Sequence, residues 1–327
     1  IEQVNVNLGS TDVDSPTAAA TGSTVNYRTM VPTEEFGVKV SGSAGEYSFM
    51  RIFGLVNTGV FTPWGTRAFI SASTTSNDNP FNNYGRVRKK QFNGRIWQPI
   101  GDNGDFVSIA GHYNENRNNF FGSVPLRLDA DRVVGSGSGN RFPITKDERE
   151  YDINFPCTTE ATVRPGVADS GSSCGTEFDR RYNPSNTGNI RGASRFTLTD
   201  GVILTVDPSY QYVKANGGGT VFARERLQNG QTGYIGGRPY FGMDLNGDGD
   251  LLDEVAMLAP SQTQTHRYGV IANLRWDIND AHSLRVGFTY DRARHRQTGE
   301  VGLLQFNGEP VDVFPVNDPL TDASGAV

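Results

Sequence analysis

No run in this chain of 327 residues approaches the roughly 18 consecutive apolar residues of a membrane-spanning helix. A helical membrane protein is therefore excluded, while a membrane β-barrel stays open. Barrel strands alternate apolar and polar side chains, so their mean hydropathy stays low. Here it is −0.47, with 36% hydrophobic residues. Excess basic charge is also missing. A net charge of −6 and a pI near 5.3 argue against nucleic acid as the main partner, which would favour a basic face. There are only two cysteines, Cys157 and Cys174, set in a Gly/Ser/Thr-rich stretch with no second Cys/His pair to make zinc ligands. A local disulfide is expected, with two free thiols as the alternative. The bond would close a loop worth on the order of 3 kcal/mol in the entropy model. Catalytic signatures are absent too. There is no G-x-S-x-G elbow, no H-E-x-x-H and no P-loop, and the four histidines are scattered, so no enzyme is expected. Ile1 opens into polar sequence with neither a starting Met nor a signal peptide, and "TDASGAV" closes no element. A chain cut at both ends is expected.

What the sequence does have is period two. In "THRYGVIANLRWDI", His266, Tyr268, Val270, Ala272, Leu274, Trp276 and Ile278 alternate with Arg267, Gly269, Ile271, Asn273, Arg275 and Asp277. One face is almost wholly apolar and the other mostly polar, which marks a strand between two environments. Leu284, Val286, Phe288 and Tyr290 continue the pattern, as do Val202, Leu204, Val206, Tyr210 and Tyr212. Noisier strands are expected near 36–44, 47–57, 66–76, 89–98, 105–116 and 193–199. Arg267, Arg275, Arg285 and Asp291 would face water; Tyr268, Leu274, Trp276 and Phe288 would face lipid.

The links carry further information. They fall at Gly45–Glu46, 58–65, 77–88, 99–104, 117–192, 200–201, 214–264 and 279–281. After the first, short and long alternate. Alternate links of an antiparallel meander lie at opposite ends, so the long ones gather at one end. Outer-membrane barrels segregate their loops in this way, with short periplasmic turns and long external loops. A soluble sandwich has little reason to do so. The expected fold is all-β: an antiparallel up-and-down transmembrane β-barrel, partial, with about nine strands.

Residues 1–35 do not read as barrel. Gly22-Ser23-Thr24-Val25-Asn26-Tyr27, followed by Pro32, resembles the plug exit of TonB-dependent outer-membrane receptors, where a G-x-V-N-I stretch leads into the first barrel strand. Tyr27 stands where that family usually has Ile, and Ser23 replaces a second glycine. "EYSFMRIFGLVNTG" and the hairpin "QPIGDNGDFVSIAGHYNENRN" continue the resemblance. It implies residues 1–35 as the end of a plug domain and residues 36–327 as the first part of a twenty-two-strand barrel, with long extracellular loops at 117–192 and 214–264. It also implies an outer-membrane, ligand-gated active transporter of a Gram-negative bacterium. The ligand would be a small molecule or oligosaccharide: a siderophore, a metal chelate or similar. A TonB-type energy-coupling protein would act through a segment not present here, and lipid would surround the wall. The alternatives are a passive porin and a secreted Ca²⁺-stabilised β-sandwich that binds glycans or surfaces.

Loop parity puts the acidic turn "DLNGDGDLLDE" on the outer side. Asp244, Asn246 and Asp248 stand at alternate positions, Gly249 permits a bend, and Asp250 follows, as a hard cation's oxygen ligands require. The EF-hand position 12 is Val255; Asp253 and Glu254 stand at positions 10 and 11, and a differently shaped loop could use one of them to complete a Ca²⁺ site, with Glu254 taken as the candidate. The alternative is a solvated acidic turn. Phe120, Phe121, Arg141, Phe142, Arg180, Arg181, Tyr182, Tyr234, Tyr240 and Phe241 in the long loops suit substrate contact and loop packing equally; none is assigned as a binding residue.

Overall fold

Alternation of this length leaves the backbone little choice but extended strands paired edge to edge. The structure, a computed structural model, describes residues 2–9, 22–78, 86–120, 164–168, 181–217, 220–226, 234–235, 238–239, 242–258, 262–298, 302–303 and 311–314. In chain order the strands are β1 (Gln3–Leu8), β2 (Ser23–Arg28), β3 (Phe36–Gly45), β4 (Phe49–Val60), β5 (Arg67–Asp78) and β6 (Arg86–Ile100). Next come β7 (Asp105–Phe120), β8 (Arg181–Tyr182), β9 (Ser185–Thr199), β10 (Val202–Asn216), β11 (Thr220–Arg224) and β12 (Tyr234–Ile235). The last are β13 (Arg238–Pro239), β14 (Glu254–Leu258), β15 (Gln262–Asn279), β16 (His282–Thr298) and β17 (Gly302–Leu303).

Nine of them form one antiparallel meander, in the order β3-β4-β5-β6-β7-β9-β10-β15-β16. The links 61–66, 101–104, 200–201 and 280–281 therefore share one end. The links 46–48, 79–85, 121–184 and 217–261 share the other. Outside the wall, β8 pairs with the tip of β7, while β11 and β14 of the 217–261 link form a small sheet with β17, which follows β16.

Cross-strand partners share a face, so the register sorts the side chains. One row runs Ile70, Gly94, Gly111, Ile190, Tyr210, Tyr268. The row beside it runs Ser71, Asn93, His112, Asn189, Gln211, Arg267. The apolar face is not a core. Val40 is 74% exposed, Ile70 67% and Phe288 62%, and among the described residues the wall buries one large apolar side chain, Phe69. A sandwich would cover this face with a second sheet. Among the described residues it stands open, as in a wall facing lipid.

The apolar band also slides along the strands. On β3 it covers Phe36 to Ala44, whose partners on β4 are Thr58 to Met50. On β6 the outward positions opposite this upper part have become Lys90 and Arg88, while the band extends down to Ile100. By β16 it covers only Tyr290 to Leu284, partners of Val270 to Trp276, with Arg292, Arg294 and Arg296 above. Across nine strands the band's centre shifts by about three to four residue pairs. At ~6.7 Å per pair and ~4.8 Å per strand, that is a tilt of roughly 30°, near the 35–45° of membrane barrels. A flat apolar slab crossed by slanted strands leaves this trace.

On the polar face the N-terminal segment docks near the short-turn end. β1 and β2 form a separate hairpin. Beyond it, Arg95 donates to the carbonyls of Thr29 (2.8 Å) and Met30 (3.3 Å), and the Thr33 amide donates to Asn57 Oδ1 (3.3 Å). Arg67 donates to Glu34 (2.8 Å), and the Val60 amide to the Glu34 carbonyl (2.9 Å). The close approach depends on Gly59, with φ at 64°: a Cβ there would lie 2.7 Å from the Phe36 nitrogen.

Candidate functional site

Two places gather polar groups: the turn at 244–254 and the inward face of the wall. In the turn, four side chains fold back on the backbone. Asp244 accepts the amides of Gly247 (2.6 Å) and Gly249 (2.9 Å), and Asn246 accepts that of Asp248 (3.2 Å). Asp248 accepts the amide of Asp250 (3.0 Å), and Asp250 that of Leu252 (2.7 Å). These are successive Asx turns, for which Asp and Asn spaced two apart are suited. Positive φ at Gly247 (83°) and Gly249 (94°) lets the coil close.

Behind the coil lies Glu225, just past β11 and fully buried. It accepts the Leu245 amide (2.5 Å) and the Asp253 amide (3.2 Å). Asp253 is also buried and accepts from Asn246 Nδ2 (2.7 Å). Glu225, Asp250 and Asp253 each bring a carboxylate oxygen within 4.8 Å of the others. Burial pushes the Glu225 carboxyl above the usual range, and the charges of Asp253 and Asp244 push it further, against the two amides that pull it down. Asp248 is also raised. The Asp250 amide pulls it down, but desolvation and the charges of Asp250, Asp253 and Asp244 outweigh that. Its Oδ2 is buried without a hydrogen-bond partner. The coil is thus crowded with negative charge and oxygen atoms.

Asp244, Asn246, Asp248 and Asp250 all line this coil. Glu254 does not: it lies in β14, paired in register with Arg224 and held by it at 2.5 Å. Its place is taken by Asp253, one residue earlier, and by Glu225, which sequence reasoning missed. The available signal was faint: "TVFAR" and "EVAML" are short strand-like runs whose pairing brings Glu225 against the turn. Gly166 donates its amide to Asp250 Oδ2 (2.6 Å), tying the first long link to the second. Cys157 and Cys174 lie outside the described residues, as do Phe121, Arg141, Phe142, Arg180, Tyr240 and Phe241.

On the inward face, His112 shares a 2.7 Å hydrogen bond with Asn93, and Arg195 reaches Asp105, at the foot of β7, at 2.7 Å. Arg267 pairs with Asp291 in a bidentate contact. Arg275 and Arg285 face each other in register on the same side. This face is a polar surface suited to water.

No family model matches the chain, and no curated protein matches it. Solved structures do. The siderophore receptor PiuA from Acinetobacter baumannii superposes with a TM-score of 0.58 at 15% identity over 91% of this chain. The ferric-catecholate import receptor Fiu from E. coli K12 gives 0.55 at 14% over 93%. The pyoverdine outer-membrane receptor FpvA from Pseudomonas aeruginosa gives 0.55 at 14% over 98%. The chain spans 36 to 40% of the length of these three. It has the fold of an outer-membrane receptor barrel, represented here by nine strands of its wall.

Proposed function

We propose that the chain is the first part of the barrel, with the end of the plug, of an outer-membrane active transporter for a scarce nutrient carried as a chelate. The observation that carries this reading is the slanted apolar band, with long links gathered at one end and a polar inner face on which residues 29–34 dock. The receptors with this fold are siderophore and ferric-catecholate receptors by name, which favours a ferric chelate as cargo. Energy would come from the inner membrane through a TonB-type protein, by moving the plug away from the contacts that Arg95 and Asn57 make. Residues 1–35 support a gated transporter over an open porin, and the exposed apolar face supports a membrane wall over a secreted sandwich.

The test uses cells carrying the whole protein. It should fractionate with the outer membrane, need detergent for extraction and migrate differently on a gel before and after heating. Uptake of radiolabelled ferric chelates should stop when the proton gradient is collapsed. Uptake that persists without the gradient would favour the porin, and solubility in plain buffer would end the membrane reading.

The acidic coil supports a second, local proposal. Asp244, Asn246, Asp248, Asp250 and Asp253, with Glu225 behind, offer the oxygen-rich set that Ca²⁺ takes at six to eight positions. A bound divalent cation would offset their mutual repulsion and stiffen the outer loops. Calorimetry on the whole protein should detect Ca²⁺ uptake that Asp248→Asn weakens and that Glu254→Gln leaves unchanged. No uptake at millimolar Ca²⁺ rejects it.

A further inference from the structure

On the inward face Arg195 and Arg267 are each met by an acid, Asp105 and Asp291. Arg95 and Arg191, on the same face, are not: among the described residues neither makes an ion pair. The two stand in one row of the register, with Ala110 of β7 between them. Two strand spacings separate them, about 10 Å.

Arg95 is held from two sides. Toward the wall, its Nη2 donates to Ser108 Oγ (3.1 Å), and its guanidinium lies 4.9 Å over the Trp97 ring. Trp97 in turn stacks on Phe106, with ring centroids 3.8 Å apart. Toward the lumen, Nη1 donates to the carbonyls of Thr29 and Met30. Its Nε is buried with no hydrogen-bond partner. Glu2 and Arg28, beside the N-terminal hairpin, act on it with opposite signs. The half-buried cation is thus met by neutral oxygens alone. Its wall contacts fix it in place even when residues 29 and 30 move away.

A guanidinium bonds an anion about twice as strongly as it bonds a neutral carbonyl. Acids on the neighbouring strands are already engaged. Asp207 accepts the Ser194 amide (2.9 Å), and Asp291 holds Arg267. Arg191 is exposed to the lumen and would meet an incoming anion first. Two arginines about 10 Å apart on long stems suit an anion with several separated oxygens, as a chelate has, more than a small single ion.

We propose that the segment 29–34 and an anionic chelate compete for Arg95. At rest, the carbonyls of Thr29 and Met30 occupy it. A chelate caught by Arg191 then takes Arg95 as well and displaces those carbonyls, so that cargo binding loosens the end of the plug. The coupling is reciprocal: release of residues 29–30 raises affinity for the anion by the same factor. A neutral chelate gains nothing from the exchange, so the net charge of the cargo becomes a selected property. The inference rests on the transporter reading above.

The experiment uses the whole protein in mild-detergent micelles, first shown to be heat-modifiable on a gel. Gradient-dependent uptake in cells keeps failure of the transporter reading separate. The probes are a ferric tris-catecholate, which is a trianion, and a neutral ferric trihydroxamate. Calorimetry follows binding, and protease cleavage within 29–35 follows release. The trianion should bind and raise cleavage several-fold; the neutral chelate should bind much more weakly and leave cleavage unchanged. Arg191→Gln, at a site that touches no plug residue, should lower affinity for the trianion about tenfold. Arg95→Gln should raise cleavage without any chelate and abolish the response to the trianion. Arg95→Lys, which keeps the charge, should restore a response. An Arg95 that merely props residues 29–30 would give raised cleavage in Arg95→Gln with affinity for the trianion unchanged, and that result overturns the proposal. Equal binding of the two chelates by the wild type overturns it too, as does a trianion that binds without changing cleavage.

Discussion

Ile190 and Asn189 are neighbours in the chain, yet they occupy different solvents. Ile190 lies in the row of Gly111 and Tyr210 and is 56% exposed, while Asn189 lies in the row of His112 and Gln211 on the polar side. The difference shows what stabilises such a wall. Its backbone is satisfied by neighbouring strands, so neither face needs a packed core. The outward face gains stability only if its surroundings are apolar. On the inward face, charges are met by partners, as in Arg195–Asp105 and Arg267–Asp291. Outward basic residues appear only above the apolar band.

The sharpest way to break that comparison is to move one charge across the sheet. Ile109 lies outward and mid-band, 58% exposed, between Ile96 and Gly192. Ile109→Arg should cost about 2–4 kcal/mol, the value for a cation near the bilayer midplane. Thr205→Arg, on the inward face opposite Asn273, should stay within about 0.5 kcal/mol. Urea titration of the protein folded into vesicles measures both. Equal costs would mean that the two faces see the same medium.

A second break concerns what the inward face holds. Gly59→Ala would place a methyl group 2.7 Å from the Phe36 nitrogen at a left-handed φ. The loss should be about 1–3 kcal/mol, with residues 29–35 becoming open to protease. Gly94→Ala, whose Cβ would meet the Phe69 carbonyl oxygen at 3.4 Å on the open outward side, should cost less.

The same comparison explains what was legible in the sequence. Where one face is lipid and the other water, alternation is strong: β10 and β15 were readable almost to their ends, and β16 as far as Tyr290. It fades where the outward face leaves the apolar slab. β6 begins at Arg86, earlier than expected, because Arg88 and Lys90 make its outer turns polar on both sides. β9 begins at Ser185 and was expected only from 193, because its outward positions 188 and 192 are glycines that carry no apolar signal. Pairing of β1 with β2 left no trace, since it depends on residues fifteen or more apart in the chain. In the acidic coil, spacing alone puts Asp244, Asn246, Asp248 and Asp250 side by side. Glu225 was hidden because only the β11–β14 pairing brings it near, and Arg224 draws Glu254 out of the coil.

The coil itself contrasts with the wall, since its acids crowd together instead of pairing with bases. The Glu225 and Asp248 carboxyls are raised, so the folded coil binds protons more tightly than the unfolded chain. Stability from this source is present below the ordinary carboxylate range and is lost as pH rises through the raised values. In chelator, cleavage within 242–258 should therefore be several-fold faster at neutral than at mildly acidic pH. Under the Ca²⁺ proposal, millimolar Ca²⁺ should remove that difference. A cleavage rate indifferent to pH would mean the coil is held by its Asx turns alone.

The smallest expected effect tests the inward face from its other side. Arg267 and Asp291 form a bidentate pair, but their side chains are 45% and 37% exposed. Solvent screens such a pair, and holding two side chains still costs entropy, so exposed pairs contribute about 0.2–1 kcal/mol. Arg267→Gln with Asp291→Asn should shift the urea midpoint by an amount in that range, and less at high salt. The contrast with Ile109→Arg is the point of the measurement. If one added outward charge costs several times what a whole inward ion pair contributes, the medium around the wall dominates its stability and the luminal charges are kept for another purpose. They would then be judged by uptake: the double variant should fold normally, and any loss of transport would assign the pair to the path of the cargo.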